Sequence, residues 1–391
     1  MNTKYYLDYQ AAKPVDPEVF EAMKPYFVDK FGNPSSLHLI GDEATETLEK
    51  SRKKIADFIH AEKKQEIIFT SGATESNNLA IIGFAMRNKR NGKHLIISEI
   101  EHISIHNIAK YLEKNGFEIS KVPVDFNGLV RLDKLKEKIR EDTILISIQY
   151  ANNEIGTIQP IREISKITKE HGIIFHSDAI AAEGILPIDV VKDGIDMLTL
   201  SSNDIYGPRG IGALYVRTGV NINPIIIGGG QERGLRSGSE DIPSIVGMAK
   251  ASEIAKNNIK EESERLSQLR DYLIKNILEK IPKSHLNGHP EHRLPHNAHF
   301  RFDYIEGESL LLSLKDEGIS IATGSACTSK TLEASHTLIS IGLLHEEAHG
   351  SLVVTLGRYT TQEDVDKLIE ALPGIIERLR KISSITKEEV M

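Results

Sequence analysis

The chain has 391 residues, 40% of them hydrophobic, which is enough for a large core and, at about 100–200 residues per domain, for two domains. Its 48 basic side chains against 56 acidic ones give a net charge of −8, so nothing favours nucleic acid or an anionic lipid surface as a partner. No apolar run approaches the ~20 residues of a bilayer span and the N-terminus carries no signal-like segment, so no membrane association and a cytoplasmic location are expected.

From residue 67 to 217, short β-branched runs alternate with amphipathic stretches. The runs are 67–70, 94–98, 143–148, 172–176, 197–201 and 212–216, and their continuous apolar character predicts strands buried on both faces. Between them, Leu79, Ile82, Gly83 and Met86, and again Ile161, Ile164, Ile167 and Thr168, have helical spacing. Strand–helix alternation predicts an α/β fold with a mostly parallel sheet. A segment over 243–281, with Pro243 at its first turn, predicts a connecting helix. Strands at 298–302 and 351–356 follow, then a helix over 363–382 that Thr361 and Asp364 cap. Two domains are expected: a large α/β domain over 15–255, and a smaller α+β domain of 1–14 with 256–391.

After the first of these strands comes Ser71-Gly72-Ala73-Thr74-Glu75 and then a helix, whose first N–H groups can hold a phosphate. Taken alone, that turn reads equally well as a plain helix cap. At other strand ends lie His102, Asn152 and Asp178, whose carboxylate would stand in the crevice where open α/β sheets bind ligands and could hold a pyridinium N–H. Phosphate cup, imidazole, amide and acid at one sheet edge resemble a pyridoxal-phosphate enzyme.

The motifs YLDYQAAKPVDP, FGNPSS, FTSGATESNNLA, ANNEIGTIQP, IYGPRGIGALYVR, GGGQERGLRSG, TGSACTSKTLEASH and LGRYTT extend that likeness nearly end to end, and the chain resembles the cysteine desulfurases of the NifS/IscS family. The resemblance implies the aspartate-aminotransferase-type architecture, pyridoxal-phosphate fold type I, in which a seven-stranded large domain binds the cofactor, a smaller domain carries the cysteine loop, and the protein is a homodimer. It further implies that Ala73, Thr74 and Ser201 contact the phosphate, that His102 stacks on the ring, and that Asn152 and Asp178 touch it. Ser239 would reach the phosphate of the neighbouring subunit, and Arg358 would grip the substrate carboxylate, for which its planar fork suits it.

Family members carry S-G-H-K before IYGP, and that lysine forms the Schiff base and moves protons. Here the stretch is Ser201-Ser202-Asn203-Asp204, and an aspartate can do neither as an amine would. Ala181 stands where the family has Gln, Gln231 replaces a His, and Ala12-Lys13 replaces a Thr pair, so several altered positions cluster at one site. Lys13, a lysine near the chain start, is expected to be a solvated charge rather than a substitute amine.

The lone cysteine, Cys327, cannot form an internal disulfide, which fits a reducing compartment. It lies in a small, polar segment that resembles the family's mobile persulfide loop, and without the lysine its remaining uses are as a sulfur carrier or as a thiolate ligand to iron. Asp204 is a further candidate ligand beside it. His345-Glu346-Glu347-Ala348-His349 matches a zinc-protease pattern, but Gly342 and Gly350 leave barely two helical turns. The Gly324 to Thr331 stretch only mimics a P-loop, and His285, His289, His292, His296 and His299 read as a solvated surface.

The expected function is that of a desulfurase-fold homodimer of iron–sulfur cluster assembly with impaired or absent desulfurase activity. It would present Cys327 to an IscU-type scaffold, with pyridoxal phosphate or its amine form bound non-covalently if at all, and with a shared iron–sulfur cluster through Cys327. The alternative is an active enzyme converting L-cysteine to alanine and a persulfide, with Lys13 or Asp204 moving the proton.

Overall fold

A computed structural model describes residues 5–324 and 334–383. Its strands are numbered in chain order: β1 Tyr5–Tyr6, β2 Ile67–Thr70, β3 His94–Ser98, β4 Glu118–Val122, β5 Thr143–Ser147, β6 Ile174–Asp178, β7 Met197–Ser201, β8 Gly212–Val216, β9 Ser284–Asn287, β10 Asn297–Phe302, β11 Ile319–Ser320 and β12 Ser351–Thr355. A seven-stranded sheet runs β2-β8-β7-β6-β5-β3-β4. β8 is antiparallel to both its neighbours and the other pairings are parallel, so the fold is α/β with a mostly parallel central sheet.

Strands β2, β3, β7 and β8 begin and end where the apolar runs do, because each is buried on both faces. β6 starts two residues later than the sequence suggests: Gly172 adopts φ +68 in the turn after the helix Ile161–Glu170, and the strand begins beyond it. β4 escaped the apolar criterion because it pairs only with β3 and shows Glu118 and Lys121 to solvent, as an edge strand does.

The order of the sheet reverses between β3 and β5, since the chain leaves β3 for the outer strand β4 and returns to the other side with β5. Such a reversal opens a crevice at the carboxyl ends of the two strands, the usual ligand position in open α/β sheets. Glu101 and His102 follow β3, and Gln149 to Glu154 follow β5, so the chain order itself puts these polar residues at the crevice.

The helix Ile242–Lys280 serves two cores. Ile242, Ile245, Met248, Ala251 and Ala255 pack with the sheet, while Leu266, Leu269, Leu273 and Ile277 pack against β10, β12 and the helix Gln362–Ile382. Asp241 caps it, accepting from Ser244 N at 3.2 Å. The terminal helix has the expected cap, Thr361 N donating to Asp364 Oδ2 at 2.7 Å. Among the described residues no helix is long and apolar enough to cross a membrane.

One expectation is corrected here. His296 and His299 are buried, not solvated: β10 carries His299 into the interior, where its Nδ1 meets Asn287 Nδ2 at 2.9 Å. Burial holds both imidazoles down at about 3. His345–His349 forms only five helical residues, and among the described residues no group of three or more His, Cys, Asp or Glu is placed to hold a metal ion.

A buried ion pair fixes the glycine-rich 228–238 segment against β2. Arg52, on the helix Leu39–Phe58, makes a two-pronged contact with Glu232 at 2.7 Å on each prong, and Glu232 Oε2 also accepts from Phe69 N at 2.9 Å. Glu232 and Arg233 adopt left-handed φ values of +48° and +59°, a backbone strain that this pair offsets. Breaking one side leaves an uncompensated buried charge. Glu232→Gln is therefore expected to lower the unfolding free energy by about 3 kcal/mol in denaturant titration, and a loss under about 1 kcal/mol would contradict burial of the pair.

Candidate active site

A cavity of about 410 Å³ opens at the carboxyl edge of the sheet. On one wall the turn after β2 leads into the helix Ala73–Asn88, whose Ala73 and Thr74 face the cavity. Gly72 makes this turn possible with φ +143, and Gly212 on β8 lies so close that a Cβ there would come within 2.7 Å of Gly72 Cα. The first N–H groups of the helix are thus left open to an anion.

The floor is Asp178, the last residue of β6. Asn77 Nδ2, one helical turn beyond Thr74, donates to Asp178 Oδ2 at 2.8 Å, and Ile180 N donates to Oδ1 at 3.1 Å. Burial raises the Asp178 carboxyl above the usual range, while these two bonds and the nearby His102 act to lower it. His102 caps the helix Ile103–Lys114, its Nδ1 accepting from Ser104 N at 3.2 Å, and its ring borders the cavity.

The remaining sequence-derived candidates fall in different places. Asn152 is buried and engaged with backbone: Oδ1 accepts from Glu154 N at 2.9 Å and Ile155 N at 2.8 Å, and Nδ2 donates to Ile100 O at 3.1 Å. Its neighbours Asn153 and Glu154 line the cavity. Ser201 ends β7, its N–H donating to Glu183 Oε1 at 2.7 Å. Ser239 is exposed, in the segment after the glycine-rich turn. Arg358 is held by Asp16 at 2.6 Å and Glu262 at 3.3 Å and lies 4.3 Å from the Tyr206 ring centre. Cys327 lies outside the described residues, but Gly324 and Ser335, on either side of that segment, both border the cavity.

Asn203 and Asp204 also line the cavity, in a short turn after β7. Asp204 is buried, and burial raises its carboxyl; the Lys13 charge and a hydrogen bond from Ser201 are the largest influences in the other direction. Lys13 is not solvated, contrary to expectation. It is buried, with Nζ donating to the Asp204 carbonyl oxygen at 2.6 Å and standing 5.3 Å from the Tyr206 ring centre. Burial pulls its ammonium below the ordinary lysine value, with Asp204, Glu183 and Glu262 opposing the shift.

Two buried acids, Glu183 and Glu101, escaped the sequence reading because nothing marks them locally; half-buried Glu154 is where its place at the end of a strand puts it. Glu183 accepts from Ser201 N through one oxygen while the other has no partner among the described residues; burial and Asp204 push its carboxyl well above the usual range. Glu154 is raised to about 7 by burial, against hydrogen bonds from Ser335 and Thr337. Glu101, adjacent to His102, is raised to about 8 by burial; Gln149 N donates to it at 3.0 Å.

The donor set fits a phosphorylated pyridine cofactor: an open helix start for the phosphate, a fixed carboxylate at the ring-nitrogen end, an imidazole on the wall and a cavity of small-molecule size. Sheet order and pocket together define an α/β protein of the pyridoxal-phosphate fold type I class. The chain belongs to the aminotransferase class-V family, whose model matches residues 5–368. It is 60% identical over 380 residues to "Cysteine desulfurase IscS 1" of Archaeoglobus fulgidus, covering 97% of this chain and 99% of that protein. It is 52% identical over 388 residues to "Cysteine desulfurase IscS" of Methanosarcina thermophila, covering 99% of this chain and 96% of that protein. Among solved structures, a "NIFS-LIKE PROTEIN" superposes with a TM-score of 0.90 at 36% identity, over 96% of this chain and all 100% of the other. The structure described as "SspA in complex with cysteine" gives a TM-score of 0.82 at 37% identity, over 92% of this chain and 100% of that one.

Glu101 provides a test of the pocket's electrostatics. Its carboxyl is raised in the folded chain, so between about 4.5 and about 8 the native state holds a proton that the unfolded chain has released, and stability falls as pH rises through that window. Glu101→Gln should therefore flatten the pH dependence of thermal unfolding there and raise the melting temperature most at its upper end. An unchanged slope would show that the carboxyl is not buried as described.

Proposed function

We propose that this chain is a cysteine desulfurase-like homodimer of iron–sulfur cluster assembly whose own desulfurase turnover is impaired or absent. It presents Cys327 as a cluster ligand or sulfur carrier to an IscU-type scaffold in the cytoplasm. The observation that carries this reading is the buried Asp204 carboxylate in the cavity where the family resemblance calls for the Schiff-base lysine, with Lys13 bonded to its carbonyl beneath it.

Pyridoxal phosphate, when bound, supplies an electron sink for the amino-acid carbon attached to it. Ala73 and Thr74 would hold its phosphate, with Ser201 and the neighbouring subunit's Ser239 adding contacts, Asp178 would meet its ring nitrogen, and His102 would cover its face. Asn152 would act through the turn it braces. Arg358 is the expected clamp for a substrate carboxylate, which would compete with Asp16 and Glu262 for it. Asp204 offers no amine for covalent attachment and is a much weaker base than the amine it replaces, so a step worth ~100- to 10,000-fold is impaired.

Homodimer formation is supported by the exposed apolar side chains of Phe20, Phe27, Val28, Phe31, Leu37, Leu39 and Ile40 within one short stretch. Cys327→Ser should leave folding and dimerisation intact while abolishing a cluster shared with a scaffold protein; an unchanged cluster spectrum would refute the ligand role.

The altered lysine site is tested by absorption spectroscopy with added pyridoxal phosphate and then cysteine. The wild type should stay free of the yellow of a lysine-bound cofactor, whereas Asp204→Lys, made alone and with Lys13→Thr to relieve the second cation, should turn yellow and release alanine at least ~100-fold faster. A wild type that turns yellow and releases alanine at the variant's rate favours the alternative, an active desulfurase with a substitute base.

A further inference from the structure

Three buried carboxylates, Asp178, Glu183 and Asp204, influence one another at the base of the cavity, and the buried cation among them is Lys13. Lys13 Nζ donates to the Asp204 carbonyl rather than entering the cavity, and Glu183 Oε2 has no partner among the described residues. Asp204 itself borders the cavity, steadied from the side by Ser201 and Asn203. The chain thus places an acid, backed by further acid, where the resemblance calls for an amine, and among the described residues no lysine or arginine lines the cavity.

We propose that this cavity selects the amine form of the cofactor, pyridoxamine phosphate, over the aldehyde form, with the Asp204 carboxylate as the partner of its aminomethyl ammonium. The inference rests on the cofactor reading given above and adds which form is recognised, and by which residue.

Chemistry at the 4-position of the ring decides between the forms. An aldehyde offers only acceptor lone pairs to a carboxylate and is disfavoured beside it. A hydroxymethyl group offers one neutral donor. An ammonium offers charge-assisted donors, roughly twice as strong as neutral ones. Length points the same way: an aspartate carboxylate ends two bonds short of a lysine nitrogen, leaving roughly 2.5 Å that an extra nitrogen on the ligand can occupy. Lys13 opposes the effect of burial on the Asp204 carboxyl without occupying that space, so the lysine missing from position 204 is replaced by a cation one layer below and an ammonium brought by the ligand.

Isothermal titration calorimetry with pyridoxamine phosphate, pyridoxine phosphate and pyridoxal phosphate on the full-length wild type tests this without any turnover. The amine is expected to bind at least about tenfold tighter than the alcohol, which shares its ring and phosphate. Asp204→Asn, close to isosteric, should remove that advantage while moving the alcohol's affinity less than about threefold. Equal affinity of the three compounds, or an amine preference that survives Asp204→Asn, overturns the inference and leaves the cofactor pocket standing. Binding of none of them overturns the pocket reading as well.

Discussion

The site depends on how one buried ammonium is accommodated. Lys13 lies under the turn that follows β7, and its bond to the Asp204 carbonyl ties the N-terminal segment to the cavity floor. A lysine in such a place loses hydration, which pulls its ammonium below the ordinary lysine value, and Asp204, Glu183 and Glu262 oppose that effect. Glu183 and Asp204 in turn are raised by burial, and Lys13 is among the influences that lower both. The group is mutually dependent, so a change at one position alters the protonation of the rest.

The sheet supplies the frame for this group. Because the strand order reverses between β3 and β5, the segments carrying Glu101, His102, Asn153 and Glu154 leave adjacent strands at the same edge, and β6 and β7 deliver Asp178 and Asp204 beside them. The helix Ile242–Lys280 then carries the chain from the core under this sheet to the core that holds β10 and β12. Arg358, from the segment after β12, meets Glu262 of that helix and Asp16 of the N-terminal segment. The residue expected to bind substrate is thus held at a three-way junction of the chain.

Much of the fold was legible because buried strands must be apolar along their whole length, and four of the sheet strands stop where that character stops. The edge strand β4 was not, since a strand with one neighbour and a wet face carries polar residues. Asp178, His102 and the turn at Ala73 and Thr74 were readable from their positions after strands. Asn77, Glu101 and Glu183 were not: their importance comes from burial, which no local pattern announces. Lys13 shows the limit most clearly. A lysine beside Pro14 reads as solvent-facing, and only the packing of residues about 190 positions apart makes it part of the pocket.

Among the described residues the pocket keeps cofactor-shaped walls but lines them with no lysine, Lys13 being held at the Asp204 carbonyl. The direct measurement is borohydride reduction of the wild-type protein with pyridoxal phosphate, followed by mass-spectrometric mapping of modified lysines. The expected result is no stoichiometric adduct on Lys13 or any other described pocket residue, and an adduct on the introduced side chain once Asp204→Lys is made. A stoichiometric adduct on Lys13 in the wild type would contradict the account, because it would require that ammonium to leave the Asp204 carbonyl and enter the cavity.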